Sequence, residues 1–219
     1  MLVIFDCDGV LIDSEIIACA HDAEALTKLG RPTTTLEFAR RFTGVPFIDS
    51  WRTLEAELGT PLPENFLSDH RAALSARFLE ELRAIEGVRE ALEAMDVARC
   101  VASSTGLASL RTNLQTTGLI DLFDPHIFSA SQVKRGKPAP DVFLHACSQM
   151  GVDPADCLVV EDSVAGVTAA RRAGMKVVGF IGGGHADDDL GDRLTSAGAR
   201  TTFKAMSDLH AVVAAHLAA

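Results

Sequence analysis

Apolar residues along the chain fall into two kinds of pattern. Short unbroken runs occur at residues 2–5, 100–102, 127–128, 158–160 and 177–181. Each is too short for a helix and suits a strand buried on both faces. Between the later runs lie segments with helical spacing, at residues 87–95, 107–117, 141–150 and 164–173, several of them closed by a glycine. Strand and helix in alternation predict a parallel sheet covered by helices on both faces.

Residues 14–85 break that alternation. Ser14 is placed to cap a helix that stops at Gly30. A second helical stretch spans about 36–42 and ends near Gly44, and a third spans about 47–58 and ends at Gly59. A fourth is expected to begin near Pro63, with Leu67, Leu74, Phe78 and Leu82 buried on one stripe. With no strand pattern among them, these residues read as an all-helical insertion after the first strand. The expected organisation is an α/β core of residues 1–13 and 86–219, Rossmann-like, carrying a helical cap at 14–85.

Nearly half of the 219 residues are hydrophobic, enough for a substantial core, and the formal net charge is −10. That charge argues against nucleic acid as a partner, because phosphate backbones call for clustered Lys and Arg. A small phosphorylated ligand remains compatible, since one pocket can be positive on an acidic protein. The five cysteines, at 7, 19, 100, 147 and 157, form no C-x-x-C pair and read as reduced, mostly buried thiols. The N-terminus has no basic segment of the signal-peptide kind, and no apolar run is long enough to span a bilayer. The expectation is a cytoplasmic protein, free of membrane, acting as a monomer or weak dimer.

Four polar features fall at the carboxyl ends of expected strands, where open parallel sheets bind their ligands. Asp6 and Asp8 lie two apart just after the first run, so in extended backbone both point to one side. Ser103 follows residues 100–102, Lys137 sits in Gly136-Lys137-Pro138 beyond residues 127–128, and Glu161-Asp162 follows residues 158–160. Taken singly, D-x-D-G also fits an acidic turn, Ser103 a capping serine, Lys137 an exposed lysine, and Glu161-Asp162 a solvated strand end. The expected topology brings all of them to one rim of one sheet.

Phe5-Asp6-Cys7-Asp8-Gly9-Val10, Ser103, Gly136-Lys137-Pro138 and Val160-Glu161-Asp162-Ser163 together resemble the four motifs of the haloacid dehalogenase superfamily of phosphotransferases. Order and spacing match over essentially the whole chain. The helical insertion resembles the cap of the branch containing β-phosphoglucomutase and phosphoglycolate phosphatase. The run of motifs also resembles the sugar-phosphate phosphatases, including those acting on 6-phosphogluconate. The resemblance implies a Mg2+-dependent phosphatase of a small phosphorylated metabolite, with Asp6 as nucleophile and Asp8 as acid and base. It further implies Ser103 and Lys137 on the phosphoryl group, and Mg2+ held by Asp6, the Asp8 carbonyl, Asp162 and Glu161. Backbone amides after Asp6 and Ser103, at Ser104 among others, would complete a phosphate cradle.

Two other readings fit the motifs, a β-phosphoglucomutase-like phosphomutase and a non-catalytic module that keeps the fold. Against the mutase, its expected histidine after the first motif falls at Ala18 and its cap-loop arginine at Phe47. For the substrate side, the candidates are Gly44 in the loop 43–47, Trp51 and Arg77, with His70 and Arg71 nearby in sequence. Trp51 suits the cap's own core better, and His70, Arg71 and Arg77 better suit solvated helix positions. Hinges are expected near 11–14 and 85–87. The segment from Gly182 to Asp192 reads as a flexible acidic loop, and His185 within it as an exposed histidine.

Overall fold

The structure, a computed structural model, describes residues 1–217. Six strands form one parallel sheet: β1 (Leu2–Phe5), β2 (Ala98–Ser103), β3 (Ile127–Ser129), β4 (Cys157–Glu161), β5 (Lys176–Phe180) and β6 (Thr202–Phe203). Their order across the sheet is β3-β2-β1-β4-β5-β6. The chain therefore winds one way from β1 to β3 and the other way from β4 to β6. The switch point lies between β1 and β4, where Phe5 is in register with Val160. In open α/β sheets a crevice for ligands opens at that place.

Both faces of the sheet are buried, which is why its strands read as continuous apolar runs. Leu2 and Ile4 pack on one face with Cys100, Ala102, Val159 and Val177. They meet the helices α7 (Asp141–Met150), α8 (Val164–Arg172) and α9 (Leu190–Ala197). Val3 and Phe5 point the other way, into a cluster with Val101, Val160, Val178 and Phe180. That face is covered by α5 (Val88–Glu93), α6 (Leu107–Thr116) and α10 (Leu209–Leu217). No helix of the described residues is long and apolar enough to cross a membrane. All five cysteines are buried free thiols.

Between β1 and α5 the chain inserts four helices: α1 (Ser14–Lys28), α2 (Thr35–Phe42), α3 (Phe47–Leu58) and α4 (Phe66–Glu81). They build a separate apolar cluster from Cys19, Ala23, Leu26, Phe38, Phe42, Trp51 and Leu54. Thr34 begins α2 with a reciprocal capping box, its hydroxyl accepting from the Glu37 N–H and Glu37 accepting from the Thr34 N–H. The two chain passages that join this insertion to the sheet hydrogen-bond to each other. Asp13 N–H donates to the Arg83 carbonyl at 3.0 Å and Ile85 N–H to the Leu11 carbonyl at 2.9 Å.

Several expectations need correction. Ser14 is the first residue of α1, not its cap, and its hydroxyl is directed elsewhere, to Asp8. Helix α4 starts at Phe66, because residues 63–66 close a turn first, with Phe66 N–H on the Pro63 carbonyl. Its buried residue is His70, whereas Leu67, Leu74 and Phe78 are only partly covered. The acidic stretch beyond Gly184 turns into α9 at Leu190, tied by an Arg193–Asp187 ion pair at 2.9 Å. A sixth strand, two residues long, adds to the five expected.

Candidate active site

Asp6 extends β1 by one residue, its N–H bonded to the Val160 carbonyl of β4. The chain then folds back sharply, with the Cys7 carbonyl accepting from the N–H groups of Val10, Leu11 and Ile12. Gly9 makes this possible. Its φ is +78°, and a Cβ there would lie 1.8 Å from Asp162 Oδ2, so neither a side chain nor an ordinary backbone conformation fits. Neighbouring strand ends carry the remaining groups: Ser103 closes β2, Glu161 closes β4, and Asp162 follows it. Lys137 reaches in from the loop before α7.

Lys137 is the hub. Its Nζ donates to Asp6 Oδ1 at 2.6 Å, Glu161 Oε1 at 2.7 Å and the Ala102 carbonyl at 3.0 Å, and it lies over the Phe143 ring. Burial opposes its charge, but Asp6 and Glu161 outweigh burial and hold the ammonium's pKa above the ordinary lysine range. Glu161 is fully buried, and its second oxygen accepts from the Ser163 N–H and hydroxyl, both at 2.9 Å. Gly166 leaves room for this carboxylate, since a Cβ there would sit 1.6 Å from Glu161 Oε1.

Asp8 is held by three hydroxyls. Ser14 and Thr105 each donate to it at 2.7 Å, on Oδ1 and Oδ2 respectively, and Ser103 donates to Oδ2 at 3.2 Å. Ser103 in turn accepts from the Thr105 N–H. Its single proton is thus engaged with Asp8 in this arrangement, while Ser104 next to it is exposed.

Four carboxylates (Asp6, Asp8, Glu161 and Asp162) face one ammonium here. Burial pushes the Asp6 carboxyl well above its usual range; Lys137 opposes this, and Glu161, Asp162 and Asp8 reinforce it. Asp162 is raised likewise, by burial and then by Glu161. Such a site is short of positive charge. Asp6, Glu161 and Asp162 each offer an oxygen, and the three oxygens lie within 4.8 Å of one another. An all-oxygen carboxylate set with this excess of negative charge fits a hard divalent cation of the Mg2+ kind.

The structure brings together Asp6, Asp8, Ser103, Lys137, Glu161 and Asp162. Gly44 comes to the edge of the group, where a Cβ on it would lie 4.0 Å from that of Ser163. Trp51 is not there: it is fully buried inside the helical insertion, its Nε1 donating to Asp22 at 2.9 Å. His70 shares that carboxylate at 2.5 Å and stacks on His21, so it is cap core and not a solvated position. The Arg77 guanidinium is occupied by Glu24 and Glu81. Two surface grooves of about 460 Å³ lie on the insertion, one of them beside Phe47 and Arg71, and neither is lined by the site's acids.

Other residues at the site were not singled out from sequence. Ser14 and Thr105 carry no motif of their own, although Thr105 lies two positions beyond Ser103. Glu15, in the first turn of α1, has its carboxyl pushed up to about 7 by burial and by Asp162 and Asp8. His185 is not an exposed loop histidine. It is 6% exposed, with Nε2 3.2 Å from Asp162 Oδ2.

Known proteins resemble this chain in sequence and fold. The haloacid dehalogenase-like hydrolase family matches residues 3–180. The 6-phosphogluconate phosphatase of Escherichia coli is 32% identical over 184 residues, 84% of this chain and 83% of its own. The phosphorylated carbohydrates phosphatase of Thermotoga maritima is 36% identical over 208 residues, 92% of this chain and 93% of its own. Among solved structures, a conserved haloacid dehalogenase-like protein of unknown function from Agrobacterium tumefaciens superposes with a TM-score of 0.92 at 42% identity, covering 98% of both chains. With the four motifs converging at the switch point of the sheet and a family match across most of its length, this chain belongs to the haloacid dehalogenase-like hydrolases.

Proposed function

We propose that this chain is a phosphoric monoester hydrolase that cleaves small phosphorylated metabolites, sugar phosphates or sugar-acid phosphates, by attack of Asp6 on phosphorus. The observation that carries this reading is the buried Asp6–Lys137–Glu161 contact, in which one oxygen of Asp6 is tied to an ammonium and the other is left to react. The phosphatase names of relatives that align over four-fifths or more of the chain support the substrate class.

In the first step Asp6 forms a bond to phosphorus, and the ester P–O bond breaks with its electron pair leaving on the substrate oxygen. Asp8, protonated, supplies the proton that oxygen needs. In the second step water attacks the aspartyl phosphate and Asp8 takes its proton. The P–O bond to Asp6 then breaks, returning the carboxylate and releasing inorganic phosphate. The Ser14 hydroxyl donates to Asp8 Oδ1 at 2.7 Å, so the first residue of α1 bears on the acid-base step. Lys137 removes the repulsion between two anions and neutralises the transferring group, and Ser103 turns its hydroxyl from Asp8 to a phosphoryl oxygen. Mg2+ held by Asp6, Asp162, the Asp8 carbonyl and, directly or through water, Glu161 would supply the remaining charge neutralisation. Residues 14–85 act as a cap over the core of residues 1–13 and 86–219, the loop at Gly44 closing on Ser163 and setting which ester is admitted. Ala18 and Phe47 leave the cap without the imidazole and guanidinium that a mutase of this type uses, so water and not a sugar hydroxyl receives the phosphoryl group.

The test is phosphate release from hexose phosphates, 6-phosphogluconate, phosphoglycolate and nucleotides, with and without Mg2+, for the protein and for Asp6→Asn. Metal-dependent release that is lost in Asp6→Asn is the expected result. Near-normal release by Asp6→Asn, or none from any ester by the unmodified protein, would overturn the reading.

A further inference from the structure

Residues 182–189 lie outside every motif so far assigned a role, yet this loop delivers a buried imidazole to the catalytic carboxylates. The three glycines that precede it each lie in close approach to a neighbour, Gly182 to backbone. A Cβ on Gly182 would meet the Lys204 carbonyl at 2.1 Å, one on Gly183 the His185 ring at 2.8 Å, and one on Gly184 the Asp13 carboxylate at 2.8 Å. The Gly184 N–H donates to Asp13 Oδ1 at 2.9 Å, which ties the loop to the hinge residue just before α1. His185 is wedged between Gly183 and Gly9, with Cε1 2.9 Å from where a Cβ of Gly9 would be.

Burying an imidazole carries a cost that the surroundings of His185 do little to offset. Its side chain is 1% exposed, and neither ring nitrogen has a well-aligned hydrogen bond among the described residues. Asp162 Oδ2 lies 3.2 Å from Nε2 but off the line a hydrogen bond needs, and Glu15, Asp13 and Asp187 add negative charge around the ring. Core packing alone would favour an apolar side chain at this position. A ring held by glycines against one oxygen of a candidate metal ligand is the arrangement by which an outer group fixes a carboxylate on a cation.

We infer that His185 is a positioning residue for Asp162: with a divalent cation drawing on the other carboxylate oxygen, Oδ2 turns into line with the unpartnered Nε2–H, which then restrains it. The inference rests on the reading of Asp162 as a metal ligand. Through Gly184 and Asp13 the same loop links that carboxylate to the hinge of the helical insertion. His185 touches neither phosphate nor the nucleophile, so it sets metal affinity and not the chemistry of phosphoryl transfer.

The test compares His185→Phe, which keeps the ring's bulk and lacks the donor, with His185→Gln, whose side-chain amide can donate from about the place of Nε2. Binding of Mn2+ to the full-length protein without substrate is followed by the electron paramagnetic resonance of the free ion. His185→Phe is expected to bind Mn2+ about tenfold more weakly or worse, with His185→Gln recovering most of the loss. At saturating metal, kcat should stay near the unmodified value in both. Unchanged Mn2+ binding in His185→Phe would overturn the inference, and so would equal weakening in both variants, which would mark a packing role. If the phenylalanine variant does not fold, His185→Leu makes the same comparison. Asp162→Asn separates the two layers: if it binds Mn2+ normally, the reading of the metal centre itself fails, however the His185 variants behave.

Discussion

Replacing Lys137 with methionine keeps most of the side chain's volume and removes its ammonium. Three hydrogen bonds at 2.6, 2.7 and 3.0 Å disappear, and Asp6 and Glu161 are left without their common cation. Breaking a buried ion pair from one side costs about 3–5 kcal/mol, because the charge left behind is uncompensated. The carboxylates can escape part of that cost by taking up a proton, at about 1.4 kcal/mol for each unit of pKa. The Asp6 carboxyl already lies above its usual range, and without Lys137, which opposes the rise, it goes higher. Between the unfolded and folded pKa values the folded state then holds a proton that the unfolded state lacks. Stability therefore falls as pH rises through that window. Urea unfolding of the metal-free proteins should show Lys137→Met weaker by about 3–5 kcal/mol near pH 8, with the deficit shrinking towards about pH 5. Turnover at saturating metal should drop by roughly two to three orders of magnitude. A deficit below about 1 kcal/mol, unchanged with pH, would refute the view that Lys137 holds the site together.

Three further outcomes follow from the same geometry. Asp8→Asn should still form some phosphoryl-enzyme with an aryl phosphate, while its hydrolysis slows by roughly 10²–10⁴; rapid-quench measurement of the two steps checks this. Because burial and neighbouring carboxylates raise Asp6 and Asp162, binding of Mg2+ should displace protons, and its affinity should rise with pH across the window of those raised values. Calorimetry in buffers of different ionisation enthalpy detects the release, and equal heats in all of them would contradict it. Trp51→Phe should cost about 1–3 kcal/mol in thermal unfolding by leaving Asp22 short of a donor, with kcat little changed, since Trp51 lies in the core of the insertion.

The strands and the acidic rim of the sheet were legible because their signals are local. A strand buried on both faces must be a short apolar run, and β1, β2, β4 and β5 each show one. The acids that follow Phe5 and Val160 stand out because they end such runs. Helices α2 and α3 were delimited by Gly44 and Gly59, which mark their ends in the chain itself. What escaped depends on contacts between distant segments. The burial of His185 comes from the glycine run 182–184 being laid against Gly9 and Asp13, distant segments that the run itself does not identify. Ser14 has the composition of a helix cap, but the approach of Asp8 takes its hydroxyl. His70 has the polarity of a surface residue and is buried because Asp22 satisfies it. Strand β6 has two residues, too few for any periodicity, and exists because Phe203 pairs beside Phe180. In α9 the buried Leu190 and Leu194 make one short stripe among Gly, Asp and Ser, a composition that reads as loop.

In the proposed reaction the phosphoryl group passes through the Asp6 carboxylate. Acid quenching during turnover, followed by peptide mass spectrometry, measures this directly. One phosphoryl group is expected on the peptide containing Asp6, increased in Asp8→Asn and absent in Asp6→Asn together with turnover. A phosphoryl group on any other residue, or steady phosphate release by Asp6→Asn, would contradict it.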